Sequence, residues 1–388
     1  MTVFRSLRRN LALAALLVVT VVAWLWLRKG NRAVESAHSD GSELASSSTW
    51  FSHRGNVPPK EGEEQATGVV EKLPVPPCWE GLFALDDRPT LHDLRDALRS
   101  ALAASGDDPL LLEYLQERLS EVIGNDAQAA LQVVGWASSF GPPLSTHLLA
   151  AVKNTEAVQQ KGVAEKLLAL GGDVGQNMDL RRAALGALET QKTLGTEALG
   201  QLRGVAMDAR SDEVAWMATR TIGKVMSGEF ARSGQAGAYV KELLDIGQHS
   251  GDPAVRSLAL EMPSYGNIPM GSAQLGTLAK VLANDPDRGV REMAAFRLGL
   301  SDNPDQALTL FALAYEKEKD LCVRWAIFRF AVRAAGQKSL PTLEKFANLD
   351  PRLRPDYEDF AAIYARGVVD FERVWLEKKE RIQCLDDG

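Results

Sequence analysis

Between residues 177 and 336 one short pattern returns five times, so this stretch must solve the same packing problem five times over. The copies are Asn177-Met-Asp-Leu180-Arg181-Arg-Ala-Ala184, Ser211-Asp-Glu-Val214-Ala-Trp-Met-Ala218, Asp252-Pro-Ala-Val255-Arg256-Ser-Leu-Ala259, Asp287-Arg-Gly-Val290-Arg291-Glu-Met-Ala294 and Asp320-Leu-Cys-Val323-Arg324-Trp-Ala326. Their starts lie 33 to 41 residues apart, a period that fits two helices and their turns.

Each part of the pattern has a physical role. The leading Asn, Ser or Asp can accept an orphan amide two or three residues on and so fix a helix start, and Pro253 suits the first turn, where its missing donor costs nothing. The aliphatic residue and the Ala a turn later share one helical face, where the small side chain lets a neighbour approach closely. The Arg beside that face can pack its stem on apolar surface and carry its head to a carboxylate in an adjacent turn. One helix pair cannot bury both of its faces, so the units are expected to stack.

The recurrence resembles the HEAT-like repeat family, in particular the short bacterial type first named from phycobilisome lyases. The resemblance covers 177–336 well and 107–172 weakly. It implies an all-α fold, an α-solenoid of stacked helical hairpins, and it leaves function open because such arrays serve as scaffolds, regulators and occasionally enzymes. Two copies depart from the pattern: Ala215 replaces the Arg, and Pro263 is expected to truncate the helix begun at Asp252.

The remaining sequence divides by composition. Residues 1–10 read as a cytoplasmic tail. Residues 11–27 are apolar except for Thr20, end in Trp24-Leu-Trp26-Leu and are followed at once by Arg28-Lys29. At about 1.5 Å per residue the run reaches roughly 25 Å, enough to span a thin bilayer core, and bulky residues stand where a cleavable leader needs small ones. It reads as an uncleaved, single-pass transmembrane signal-anchor helix in a bacterial inner membrane, with the bulk of the chain periplasmic on a small excess of leading positive charge. Residues 28–78 include Ser46-Ser-Ser, Glu61-Gly-Glu-Glu and Pro74-Val-Pro76-Pro77, a disordered tether that buries too little apolar surface to offset its ordering entropy. Residues 79–176 then hold N-terminal helical hairpins, 177–350 the repeats and 351–388 a C-terminal cap, read as one long helix from Asp356 to about Gln383 interrupted at Gly367. A single further helix is expected over 155–170.

The formal net charge is −7, yet every charged residue in the first 32 is basic, which leaves −13 for the remainder and argues against a nucleic-acid partner.

Chemistry-bearing constellations are lacking in the sequence. His92, His147 and His249 have no second His or Glu at ligand spacing, so no metal or cofactor is expected, and the His-Glu pairs of the HEAT-like deoxyhypusine hydroxylases are missing. Asp285-Pro-Asp287-Arg-Gly289 has its Gly one position early for a calcium loop, with Phe296 where a bidentate acid belongs, and reads as a helix cap. Glu316-Lys-Glu-Lys-Asp320 reads as a solvated charge run in a turn, and Trp136 and Phe140 as core. Among the cysteines, Cys322 reads as a small core residue. A bridge between Cys78 and Cys384 is chemically open but opposed by the length of an extended array. The sequence therefore points to no catalytic residue and no cofactor, and to a membrane-tethered scaffold that binds a protein partner through the solenoid surface. The alternatives are a HEAT-like lyase or hydrolase and a cis-regulator of a neighbouring membrane enzyme.

Overall fold

The computed structural model describes residues 88–105, 108–208, 212–379, 381–382 and 384. The capping residues of the recurrence do the work expected of them. Asn177 accepts from the Asp179 amide, Asp252 from Ala254, Asp287 from Val290, and Asp320 from Cys322 and Val323. Ser211 lies outside the described residues, as do residues 11–27 and the tether.

In chain order the helices are α1 (Leu91–Ser105), α2 (Pro109–Ile123), α3 (Ala127–Ser139), α4 (Leu144–Lys153), α5 (Lys161–Gly172), α6 (Met178–Ala187), α7 (Thr196–Ala206), α8 (Asp212–Ser233) and α9 (Gly237–His249). They continue with α10 (Pro253–Tyr265), α11 (Ser272–Asn284), α12 (Arg288–Gly299), α13 (Pro304–Tyr315), α14 (Leu321–Ala335), α15 (Leu340–Leu349), α16 (Arg354–Ala365) and α17 (Phe371–Glu377). No strand occurs among the described residues. From α3 onward consecutive helices pair, and the pairs stack in two layers: α3, α5, α7, α9, α11, α13 and α15 in one, and α4, α6, α8, α10, α12 and α14 in the other. All five copies of the recurrence fall on second helices, α6 to α14.

The stacking follows from the repeated face. Leu180, Val214, Val255, Val290 and Val323 are buried, as are Ala184, Ala218, Ala259, Ala294 and Ala326. Full burial of one such aliphatic side chain contributes about 1.5–3 kcal/mol, and here each is covered by the next repeat rather than by its own hairpin partner alone. Close approach leaves no room for a side chain at Gly223, where a Cβ would stand 2.7 Å from the Met262 Cβ, or at Gly299, where it would stand 2.8 Å from the Phe330 Cβ and 3.2 Å from its carbonyl oxygen.

The repeated Arg forms a ladder through the turns. Arg256 donates from Nη1 to the Ser250 carbonyl, in the turn before its own helix, and from Nε and Nη2 to Asp285 in the turn of the next hairpin. Arg291 repeats this with the Asp285 carbonyl behind it and Glu318 ahead, and Arg324 with the Glu318 carbonyl behind and Asp350 ahead. Where the second copy has Ala215 in place of Arg, the turn ahead holds Ser250 in place of an acid.

Five expectations need correction. Pro263 does not truncate α10, which runs to Tyr265 with Pro263 buried inside it. The helix expected over 155–170 is a 3-10 turn, Glu156–Gln159, followed by α5 starting at Lys161. The expected long C-terminal helix is two, α16 and α17, because Gly367 adopts a left-handed φ of +83°. Glu318 is not solvated: its side chain is 10% exposed and grips Arg291. Cys322 is not a free core thiol but is bonded to Cys384, with Cα atoms 5.4 Å apart, which also overturns a Cys78–Cys384 bridge. Cys384 reaches Cys322 because the chain after Gly367 turns back toward α14, where Trp375 comes within 6.0 Å of Trp325 between ring centroids.

Candidate interaction surface

The two layers differ in what they show to solvent. First helices present fully exposed residues on most turns, whereas second helices are more enclosed, with most of their exposed residues near the helix ends and a row of partly exposed side chains between. That row runs on from repeat to repeat, since successive second helices from α4 to α14 contact one another.

At its N-terminal end the row forms a groove of about 460 Å³ between α4, α6 and α8, lined by Pro142, Ala150, Arg182, Ala183, Gly186 and Met217 among others. Its charges are satisfied internally. Glu189, 9% exposed, accepts from Lys153 at 2.9 Å and from Arg220 at 2.8 Å, which ties three successive second helices together, and Arg182 pairs with Glu213. A second groove of about 570 Å³ lies on the other layer, and there Arg203 is paired with Glu242 and Asp245.

The C-terminal end of the row is different in character. The Arg329 guanidinium carbon lies 4.1 Å from the Trp375 ring centre and 5.2 Å from that of Phe330. One turn on, the Arg333 guanidinium lies 5.3 Å from Phe371 and 5.7 Å from Phe296. Each of these two arginines of α14 is thus flanked by one ring from α17 and one from the α12–α14 seam, and both remain half-buried. The rings brace one another: Phe296 meets Phe330 edge-on at 5.4 Å, and Phe371 stacks on Trp375 at 6.2 Å. On α12, next to Phe296, Arg297 is only 4% exposed. It occupies a seam position filled by Ala187, Thr221, Met262 and Phe330 in the other repeats. Burial pulls its guanidinium down to about 10, with Glu261 opposing, and its Nε has no hydrogen-bond partner.

The three histidines of the described region stand apart. His92 packs edge-on against Trp136, which is partly buried against the core, His147 shares a hydrogen bond with Gln116, and His249 lies against Asp245. Among the described residues no group of three His, Cys, Asp or Glu is placed to hold a metal ion. Asp287 caps α12, and Asp285 is committed to Arg256, which agrees with a cap rather than an ion loop. The arginine–aromatic cluster went unread in the sequence, although a signal was present: Arg329 and Arg333 have the same four-residue spacing as Phe371 and Trp375. No protein-family model matches the chain, and a search among curated proteins finds no match.

Proposed function

We propose that the chain is a membrane-tethered scaffold of the HEAT-like repeat kind, anchored by residues 11–27, whose helical array binds a protein partner on the periplasmic side of an inner membrane and performs no chemistry of its own. The observation that carries this reading is the row of second helices, a surface extending over successive repeats and ending in rings and arginines, residue types favoured at protein interfaces. The Cys322–Cys384 bond supports the compartment, since structural disulfides persist where thiols are not kept reduced. The anchor and tether rest on the apolar run and on the Ser-, Gly- and Pro-rich stretch that follows it.

A photo-crosslinking residue placed in intact cells at Met217 or Tyr265, on the second-helix row, should trap one discrete protein adduct. The same residue at exposed Gln201 on α7 should not. Equal labelling at all three positions, or none at any, would remove the support for this surface. A periplasm-active reporter fused after Gly388 should be active and a cytoplasm-active one silent.

A further inference from the structure

We propose that the Cys322–Cys384 bond is a redox latch on the terminal helix: reduction by a dithiol frees α17 to lift from α14 and α16, while the stacked repeats before it stay folded. The latch goes beyond the scaffold reading and stands whether or not the array holds a partner.

Packing is the first support. α17 has seven residues, of which Val374 is buried, while Glu372, Arg373, Leu376 and Glu377 are exposed. By contrast α14, on which it rests, buries eight of its fifteen residues. α17 meets α14 and α16 through a ring, with Trp375 lying 6.0 Å from Trp325 and 6.5 Å from Phe360 between ring centres. A helix so short does not persist alone, and one that buries so little belongs to the part of a fold that opens first.

Charge is the second. Glu377 pairs with Arg366 and Arg373, and Arg381 with Asp359, all at least partly in water, where such pairs contribute little. Lys378 and Asp356 are buried, but lifting α17 returns both charges to water. What the pair adds against lifting is therefore the small balance of attraction over desolvation, not the large cost of stranding one partner.

Topology is the third. Gly367, with a φ of +83°, turns the chain at one end of the segment, and Cys384 ties the other end to Cys322 in the first turn of α14. α17 is thus held between a glycine turn and a covalent bond, and only the second can be undone. Both cysteines are partly exposed, so a reductant can approach them. A thiolate of the dithiol attacks one sulfur, the S–S bond breaks, and the other sulfur leaves as a thiolate that takes a proton. The second thiol of the reductant then attacks the mixed disulfide, so Cys322 and Cys384 end as thiols and the dithiol as a cyclic disulfide. Lifting α17 uncovers Trp325 and Phe360 at the end of the stack.

The test is hydrogen exchange on the full chain in mild detergent, oxidised and after dithiothreitol, with thiols counted in the same samples. Reduction should speed exchange of the α17 amides by roughly tenfold or more and leave those of α6 to α12 as they were. Reoxidation should restore the slow rates. Cys322→Ser/Cys384→Ser should exchange like the reduced chain with or without dithiothreitol, and Cys78→Ser, which keeps both bonded cysteines, should respond like the parent. The reduced parent keeps the test decisive if the double variant does not fold. Equal exchange at α17 before and after both thiols are freed would make the bond dispensable, and a bond that dithiothreitol leaves intact in the folded chain would make it inaccessible. Loss of protection along the whole array would make it a staple of the entire fold. Any of these three results would overturn the latch.

Discussion

Arg256 and Asp285 face each other across two consecutive repeats with both bonds of the fork made, Nε to Oδ2 at 2.8 Å and Nη2 to Oδ1 at 2.9 Å. Their side chains are 9% and 5% exposed, so neither charge can fall back on water. Removing one partner strands the other, and Asp285→Ala is expected to cost about 3 kcal/mol in urea unfolding. Arg256→Ala/Asp285→Ser, which reproduces the Ala215 and Ser250 arrangement one repeat earlier, should cost less than the sum of the single changes. Strict additivity in that cycle would mean the two residues are not coupled.

How far the fold could be read in the sequence differs between the repeats and the ends. Caps, aliphatic seam and period are local properties, so Asn177, Asp252, Asp287 and Asp320 announced their helices correctly. The sequence also implied an Arg reaching a carboxylate, but not which one. The acids two residues before the caps, Asp285 and Glu318, were assigned to a cap-like loop and a solvated run because their partners lie 27 to 29 residues away. The C-terminal end misled more seriously. Periodicity carried a helix through Gly367, whereas the reversal there is what brings Phe371 and Trp375 onto Arg333 and Arg329 and Cys384 onto Cys322. Contacts made by a chain doubling back carry no periodic signal.

Acid should loosen the last rung of the ladder. Hydrogen bonds from Arg352, and then from Arg324, hold the Asp350 carboxyl down to about 2, below its ordinary value near 4. A carboxylate depressed in the folded state contributes stability that is complete above the unfolded value and is lost as pH falls through the folded one. The contribution should therefore be present at pH 7 and disappear between about pH 4 and 2. Arg352 is 57% exposed and solvent screens its share, so the effect is about 1–2 kcal/mol at most. Urea midpoints measured across that window should fall less steeply in Asp350→Asn than in the unaltered chain.

Thiol counting distinguishes the observed pairing from the alternatives. The sequence has three cysteines, and with Cys322 and Cys384 bonded the denatured, unreduced chain should show one reactive thiol, rising to three after reduction. The bond closes a separation of 62 residues, and Cys384→Ser should lower stability by about 2–4 kcal/mol. Three thiols before reduction would mean that the bond is absent from the isolated protein.

Lys378 and Asp356 make the most deeply buried ion pair in the described residues, with side chains 1% and 0% exposed and Nζ 2.5 Å from Oδ1. The ammonium also donates to the Lys379 carbonyl and lies 4.5 Å from the Trp325 ring centre, with Phe360 and Trp375 close by. The other carboxylate oxygen of Asp356 has no partner, so the lysine is the principal compensation for a charge held out of water. Lys378→Met should therefore destabilise the C-terminal end by about 3–5 kcal/mol, whereas Lys378→Met/Asp356→Leu, which removes both charges, should recover most of that loss. Hydrogen exchange would locate the effect: amides of α16 and α17 should lose protection in the single variant while those of α6 to α10 keep theirs, because a stacked array transmits damage only to its neighbours. Uniform loss along the whole chain, or a single variant as stable as the parent, would show that this pair does not anchor the terminal helix.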